Sequence, residues 1–251
     1  MSVEIRTGNL FRLGDHRLIA GDARNPEAIA KLVGEEKVAQ ILTDPPYGVA
    51  VVESKTGFSQ AKGKHRVIAN DHLQSEEEYR TFCQEWLTAA KPYLTEKNSA
   101  YIFNSDRMIF SLHDAIRQSG FHFSQLLVWV KTQAVIGRMD YLSQHELIAY
   151  GWLGRRKFRH SKNKSVIVHP KTAKNTLHPT MKPVGLLRKL ILNGTELHDI
   201  VYDPFAGSGS TLIAAEQTKR KCFAVECDLE YCRKIIKRWE KLTGLRAQKL
   251  T

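Results

Sequence analysis

Two short stretches of this sequence hold residue types that could do chemistry. The first is Thr43-Asp44-Pro45-Pro46-Tyr47, directly after the apolar run Val38–Leu42. Successive prolines lock the backbone and remove two N–H donors, leaving the Asp44 carboxylate and the Pro45 carbonyl as acceptors beside the Tyr47 ring. Such a set can receive both hydrogens of a planar amino group and stack the ring that carries it. A rigid Pro-Pro turn capped by Asp explains the prolines, but not an acceptor pair and an aromatic together.

The second stretch is Asp203-Pro-Phe205-Ala206-Gly207-Ser208-Gly209-Ser210-Thr211, between the β-rich Ile200–Tyr202 and a helical pattern. Gly207 and Gly209 permit a sharp turn and close approach of a ligand to backbone, and the following helix start offers unpaired N–H groups. Dinucleotide-binding domains and plain helix caps produce such turns too. Here Leu212 stands where G-x-G-x-x-G needs its third glycine, and G-x-x-x-x-G-K-[ST] is absent, so neither a pyrophosphate nor a triphosphate is well served. Glu226 closes the next strand, where a carboxylate can accept both ribose hydroxyls of an adenosine; the plainer alternative is a solvated strand-end carboxylate. A nucleoside without phosphates fits the pair.

These motifs need strands that end at one edge of a sheet. Short β-rich runs alternate with helical patterns along most of the chain, which predicts an α/β fold with a mostly parallel sheet covered by helices on both faces. The predicted strands are His16–Ala20, Val38–Thr43, Ser99–Asn104, Gln125–Val130, His145–Tyr150, Ile200–Asp203 and Lys221–Glu226, making a sheet of about seven. Predicted helices span Pro26–Glu35, Glu76–Ala90, Arg107–Gln118, Val184–Leu192, Ser210–Thr218 and Leu229–Leu242. In the last, Leu229, Cys232, Ile235, Ile236, Trp239 and Leu242 form one apolar stripe, which is core. Two polar, basic stretches, Gly48–Asp71 and Leu153–Met181, break the alternation and read as functional or mobile loops.

With 251 residues and 42% hydrophobic composition, the chain is sized for one large α/β domain, residues 1–251, with 153–181 as an insert. The net charge of +12 is uneven: Leu147–Thr195 has eleven Lys and Arg and no Asp or Glu. With Trp152, Phe158, His160, His169 and His178 interleaved, this block points to a polyanion surface rather than a merely solvated segment. The four cysteines contain no C-x-x-C pair and predict buried free thiols in a reducing cytoplasm, with no metal site. No apolar run approaches the ~20 residues of a membrane span.

Together the two motifs resemble the D-P-P-Y tetrad and F-x-G-x-G loop of the amino-group (N6-adenine/N4-cytosine) DNA methyltransferases. His178-Pro-Thr-Met-Lys-Pro183 resembles a third motif of that family, and the order of the three is that of its permuted β class. The resemblance covers nearly the whole chain and implies a circularly permuted Rossmann-like methyltransferase fold using S-adenosyl-L-methionine. It implies that Asp44, Pro45, Pro46 and Tyr47 hold the target amino group, and that Asp22 with Ala23 contacts the cofactor's adenine. Asp203 is implied at the methionine amino group, Glu226 at the ribose, and Thr180 with Lys182 at the methionine carboxylate, with Phe205–Thr211 wrapping the middle.

The expected substrate is a flipped-out adenine in duplex DNA, methylated at N6 without metal or covalent intermediate. Phosphates would be held by Lys62, Lys64 and Arg66 in the first loop and by Arg155, Arg156, Lys157, Arg159, Lys162 and Lys164 in the insert. The alternatives are N4-cytosine methylation, more often accompanied by Ser at the position of Asp44, and a non-catalytic cofactor- and DNA-binding subunit. Methylation of RNA or of a protein glutamine is more distant. A homodimer and a cognate restriction endonuclease are possible partners by the same resemblance.

Overall fold

The computed structural model describes residues 4–47, 75–134, 140–160, 162–171 and 181–251. Its strands are β1 (Leu10–Leu13), β2 (His16–Ala20), β3 (Val38–Thr43), β4 (Leu94–Asn104), β5 (His122–Val130), β6 (His145–Trp152), β7 (Arg155–Arg156), β8 (Val166–Val168), β9 (Ile200–Asp203), β10 (Lys221–Glu226) and β11 (Gln248–Lys249). The helices are α1 (Pro26–Val33), α2 (Glu76–Ala90), α3 (Ile109–Gln118), α4 (Val184–Gly194), α5 (Ser210–Gln217) and α6 (Leu229–Thr243). The strands form one 11-stranded sheet in the order β11-β1-β2-β10-β9-β3-β4-β6-β5-β8, with β7 beside β4.

All seven predicted strands are present, and β2, β10, β9, β3 and β4 run parallel as neighbours. The sheet is wider than the seven expected because β1, β7, β8 and β11 add to it. These are ladders of two to four residues, too short to show a period in the sequence. β4 also starts earlier than expected, because Leu94 pairs with Val38 of β3 and Lys97 and Asn98 pair with Arg155 and Arg156.

Each face of the sheet carries its own apolar core. On one side α1, α2 and α3 bring Ile29, Leu32, Trp86, Leu87 and Leu112 onto Ile41, Ile102 and Phe223. On the other, α4, α5 and α6 bring Leu186, Leu190, Leu212, Ile235 and Trp239 onto Leu42, Phe103, Ile148 and Val201. Every residue of β3 is buried, as expected of a parallel strand covered on both faces.

Local signals start the helices where the site needs them. Asn25 caps α1 by accepting from Glu27 N–H, with Pro26 in the first turn. Ser75 and Glu78 form a reciprocal capping box on α2. Asp228 accepts from the N–H groups of Glu230 and Tyr231 at the start of α6, fixing the turn after Glu226. Cys83, Cys222 and Cys232 are buried free thiols as expected, but Cys227 is exposed, because it stands in the turn between β10 and α6.

Candidate active site

The chain leaves β9 toward β10 on one side and leaves β3 toward β4 on the other, so the loops after these neighbouring strands part and open a crevice. Both motifs lie in it. A cavity of about 380 Å³ runs along the carboxyl ends of the strands, lined by Asp22, Asp44–Tyr47, Lys182, Asp203–Ser208 and Glu226 among others. The motifs touch: Thr43 Oγ1 donates to Asp203 Oδ1 at 2.8 Å.

The glycine loop is shaped by its two left-handed residues, Gly207 at φ 52° and Gly209 at φ 77°. A Cβ on Gly209 would stand 3.0 Å from Ile235 of α6, so both backbone angle and space require glycine there. Arg238 of α6 holds the loop from behind, donating to the Ser208 carbonyl at 2.9 Å and to Ser210 Oγ at 3.2 Å. Phe205 packs against Phe82 and Trp86 of α2, which fixes the other side.

Two buried carboxylates face this loop. Asp203 accepts from Thr43 and from the Phe205 N–H, and burial pushes it up to about 6. Glu226 accepts from the N–H groups of Gly207 at 2.7 Å and Asp228 at 2.8 Å, and burial pushes it up to about 7. Among the described residues, neither forms an ion pair with Lys or Arg. These are acceptors suited to a ligand that brings its own donors, such as an amino group at Asp203 and a diol at Glu226.

Asp22 and Ala23 line the same cavity beyond β2. Burial alone would raise the Asp22 carboxyl, but hydrogen bonds from Arg24, one at 2.7 Å, hold it below its ordinary value. Ser210 and Thr211, at the start of α5, complete the wall. The set fits S-adenosylmethionine: carboxylates for its amino group and ribose, with the glycine loop between them.

The second half of the cavity belongs to Asp44. Tyr47 donates its hydroxyl to Asp44 Oδ1 at 2.5 Å, and Lys182 Nζ donates to Oδ2 at 2.6 Å. Asp44 keeps 26% of its side-chain surface open. Burial raises its carboxyl above the ordinary value, against the pull of Lys182. Lys182 itself is buried and held in its charged form by Asp44 and by Glu146, 3.0 Å away. Its ammonium is thus held at the Asp44 end of the cavity, whereas the family resemblance implied a place for it at the cofactor's methionine carboxylate.

Glu146 and its second partner Lys131, at 2.9 Å, are polar residues of the cavity that sequence reasoning missed. A signal existed. Glu146 shares a strand face with the buried Ile148 and Tyr150, and Lys131 extends the face of Trp129, so each puts a charge where alternation calls for an apolar residue.

The basic insert is where expectation and structure part. Arg155 and Arg156 pair with the beginning of β4, while Asn104 at its other end borders the cavity, about 20 Å away along the strand. Arg155, Lys157 and Arg159 form ion pairs with Glu96, Asp199 and Glu196 at 3.0, 2.6 and 3.0 Å. These four residues therefore lie at the opposite end of the sheet from Asp44, and three of them are charge-compensated there. Lys162 and Lys164 are exposed in the turn that leads to β8, and among the described residues of the insert Lys171 and Met181 line the cavity. Lys62, Lys64, Arg66, His178 and Thr180 lie outside the described residues.

The sequence matches the N6/N4 methyltransferase family, described as DNA methylase, over residues 38–238. It is 27% identical over 227 residues to the Type II methyltransferase M2.DpnII of Streptococcus pneumoniae, covering 82% of this chain and 83% of that one. It is 33% identical over 197 residues to the Escherichia coli (strain K12) protein YubD, covering 77% and 78%. Among solved structures, it superposes on the M1.HpyAVI–SAM complex with a TM-score of 0.64 and 26% identity, over 88% of this chain and 98% of that one. It shares its fold with the PvuII DNA methyltransferase (cytosine-N4-specific), at a TM-score of 0.69 and 16% identity over 92% and 91% of the two chains. With the glycine loop, the paired carboxylates and the D-P-P-Y turn meeting in one crevice, the chain belongs to the N6/N4 DNA methylase family and is an S-adenosylmethionine-dependent DNA methyltransferase.

Proposed function

We propose that the enzyme methylates the N6 amino group of an adenine flipped out of duplex DNA. The observation that carries this reading is the acceptor at position 44, a carboxylate clamped on both oxygens by Tyr47 and Lys182 yet open to the cavity. An exocyclic amino nitrogen is a weak nucleophile, because its lone pair is delocalised into the ring. Hydrogen bonds from its two hydrogens to Asp44 and the Pro45 carbonyl draw it toward tetrahedral geometry and free the lone pair. S-adenosylmethionine supplies the electrophilic methyl group.

As the bond forms, positive charge develops on nitrogen, and the Asp44 carboxylate stabilises it at short range. Burial, by raising the Asp44 carboxyl, makes it a stronger acceptor and a place for the proton the amine loses. Asp203 and Glu226 bind the cofactor, the glycine loop orients it, and Thr43 ties the two halves of the site together. Tyr47 is the stacking platform that offsets part of the few kcal/mol of unstacking.

Adenine is favoured over cytosine because the acceptor is Asp rather than Ser and because the larger purine gives Tyr47 more area to cover. Nucleoside analysis of duplex DNA methylated by the purified protein tests the choice. N6-methyladenine is the expected product; methylcytosine alone would refute adenine and leave the amino-group pocket standing.

A further inference from the structure

The Asp44 clamp does not end at Lys182. Four charged side chains form an alternating row: Lys131, Glu146, Lys182 and Asp44, with successive contacts of 2.9, 3.0 and 2.6 Å. They come from four separate places: the end of β5, the start of β6, the segment before α4 and the end of β3. Lys131 and Lys182 are buried, only 5% and 7% exposed. The row is walled by aromatic rings, with Lys131 over Trp129 at 5.5 Å and Lys182 over Phe103 at 5.1 Å. Four ionisable groups in so dry a place are costly, and such a cluster persists only where the charges balance.

We infer that Glu146 and Lys131 are positioning residues for methyl transfer, an outer ion pair that holds Lys182 on Asp44 and keeps the amino-group pocket electrically neutral. This rests on the reading of Asp44 as the acceptor for the target amine. Lys182 alone presents a difficulty for that chemistry: an uncompensated ammonium beside Asp44 opposes the positive charge that develops on the amine. Glu146 removes the difficulty by neutralising Lys182 from behind, and Lys131 neutralises Glu146 in turn. Glu146 Oε2 lies 3.0 Å from Lys182 Nζ, close enough to hold the ammonium in its charged form from the side away from Asp44.

The pH behaviour follows from the same row. Asp44 is faced by Tyr47 from its own loop, Lys182 before α4, Glu146 on β6, Tyr79 on α2 and Asp203 on β9. Lys182 is faced by Asp44, Glu146 and the Tyr47 hydroxyl at 3.4 Å, and Glu146 by the two lysines and Tyr47. Removing the Glu146 charge takes a like charge from Asp44 and a counter-charge from Lys182. Both groups then titrate at lower pH.

The test uses the full chain, with cofactor Kd measured on every variant as a check of folding and methyl transfer measured by kcat across pH. Glu146→Gln should keep cofactor Kd within about threefold, lose about 100-fold in kcat, and move both limbs of the kcat–pH profile to lower pH. Adding Lys131→Gln restores neutrality and should recover at least about tenfold of that loss, a rescue that a merely structural role would not give. A Glu146→Gln enzyme with kcat within about threefold of the parent and an unmoved profile would overturn the inference, as would a double variant no faster than the single. Should Glu146→Gln lose cofactor binding, the double variant and Glu146→Asp carry the same comparison, with Glu146→Asp expected to retain most activity. Asp44→Ala separates the two ideas: full activity there defeats the pocket reading itself, while an inactive Asp44→Ala beside a normal Glu146→Gln defeats only the outer pair.

Discussion

The two ends of the parallel sheet treat charge in opposite ways. At the amino ends, Arg155, Lys157 and Arg159 meet Glu96, Asp199 and Glu196 in ion pairs on or near the surface. At the carboxyl ends, Asp203 and Glu226 are buried with no Lys or Arg partner among the described residues, and burial pushes them up to about 6 and about 7. The first arrangement is self-sufficient and asks nothing of a ligand. The second is incomplete until donors arrive from outside, which is what distinguishes a binding site from a salt-bridged surface.

The sharpest way to probe this contrast is at the carboxyl end. Asp44→Ala is expected to lower kcat by about 1,000-fold, measured by transfer of labelled methyl groups to duplex DNA, while cofactor Kd stays within about threefold. Retention of more than about a tenth of the activity would remove Asp44 from the chemistry.

Next in size is Glu226→Gln, expected to weaken cofactor binding by about 10- to 100-fold through loss of a charged acceptor. In the parent enzyme Glu226 sits raised at about 7, and only its ionised form accepts from a diol on both oxygens. Cofactor binding therefore draws a proton off, and affinity falls as pH drops from above 7 toward 6. Calorimetry at pH 6.5 in buffers of different ionisation enthalpy measures that proton, and Glu226→Gln should abolish most of the release. Equal heats in all buffers would show that Glu226 is already ionised without ligand.

DNA binding divides the two ends more gently. Lys171, exposed at the cavity mouth, should contribute to phosphate contact: Lys171→Ala is expected to reduce the slope of log affinity against log salt by about 0.9. The smallest effect is expected at the other end. Replacing Arg155, Arg156, Lys157 and Arg159 together by Gln should change DNA affinity less than about twofold and leave the salt slope in place. A loss of slope there would place DNA at the amino ends after all.

That last expectation reverses what the sequence suggests, and the reason is physical. A run of eleven cations without an acid reads as one surface, but the acids that neutralise its first part come from Glu96, Glu196 and Asp199, outside the run. Linear charge density carries no information about such partners. By contrast, the two site motifs were legible because their chemistry is local: a turn, its glycines and the carboxylate at a strand end are fixed within a few residues. The seven main strands were legible for the same reason, each long enough to show its pattern. Glu146 and Lys131 lay between these cases, since strand alternation marked them as charges facing inward but no local feature could say that they meet across Lys182.

The hydrogen bond from Thr43 to Asp203 joins residues 160 positions apart. During synthesis on the ribosome, at ~5–20 residues per second, roughly 10–30 s separate the emergence of the two strands. Through that interval β3, a strand buried along its whole length in the finished sheet, lacks β9, the neighbour that covers one of its edges. The nascent chain must therefore be kept from pairing this edge elsewhere, and a polypeptide halted before β9 carries the whole D-P-P-Y turn yet has neither a cofactor site nor a closed sheet. Long-range pairing of this kind makes for slow folding, and it means that catalytic competence arrives only with the last third of the chain.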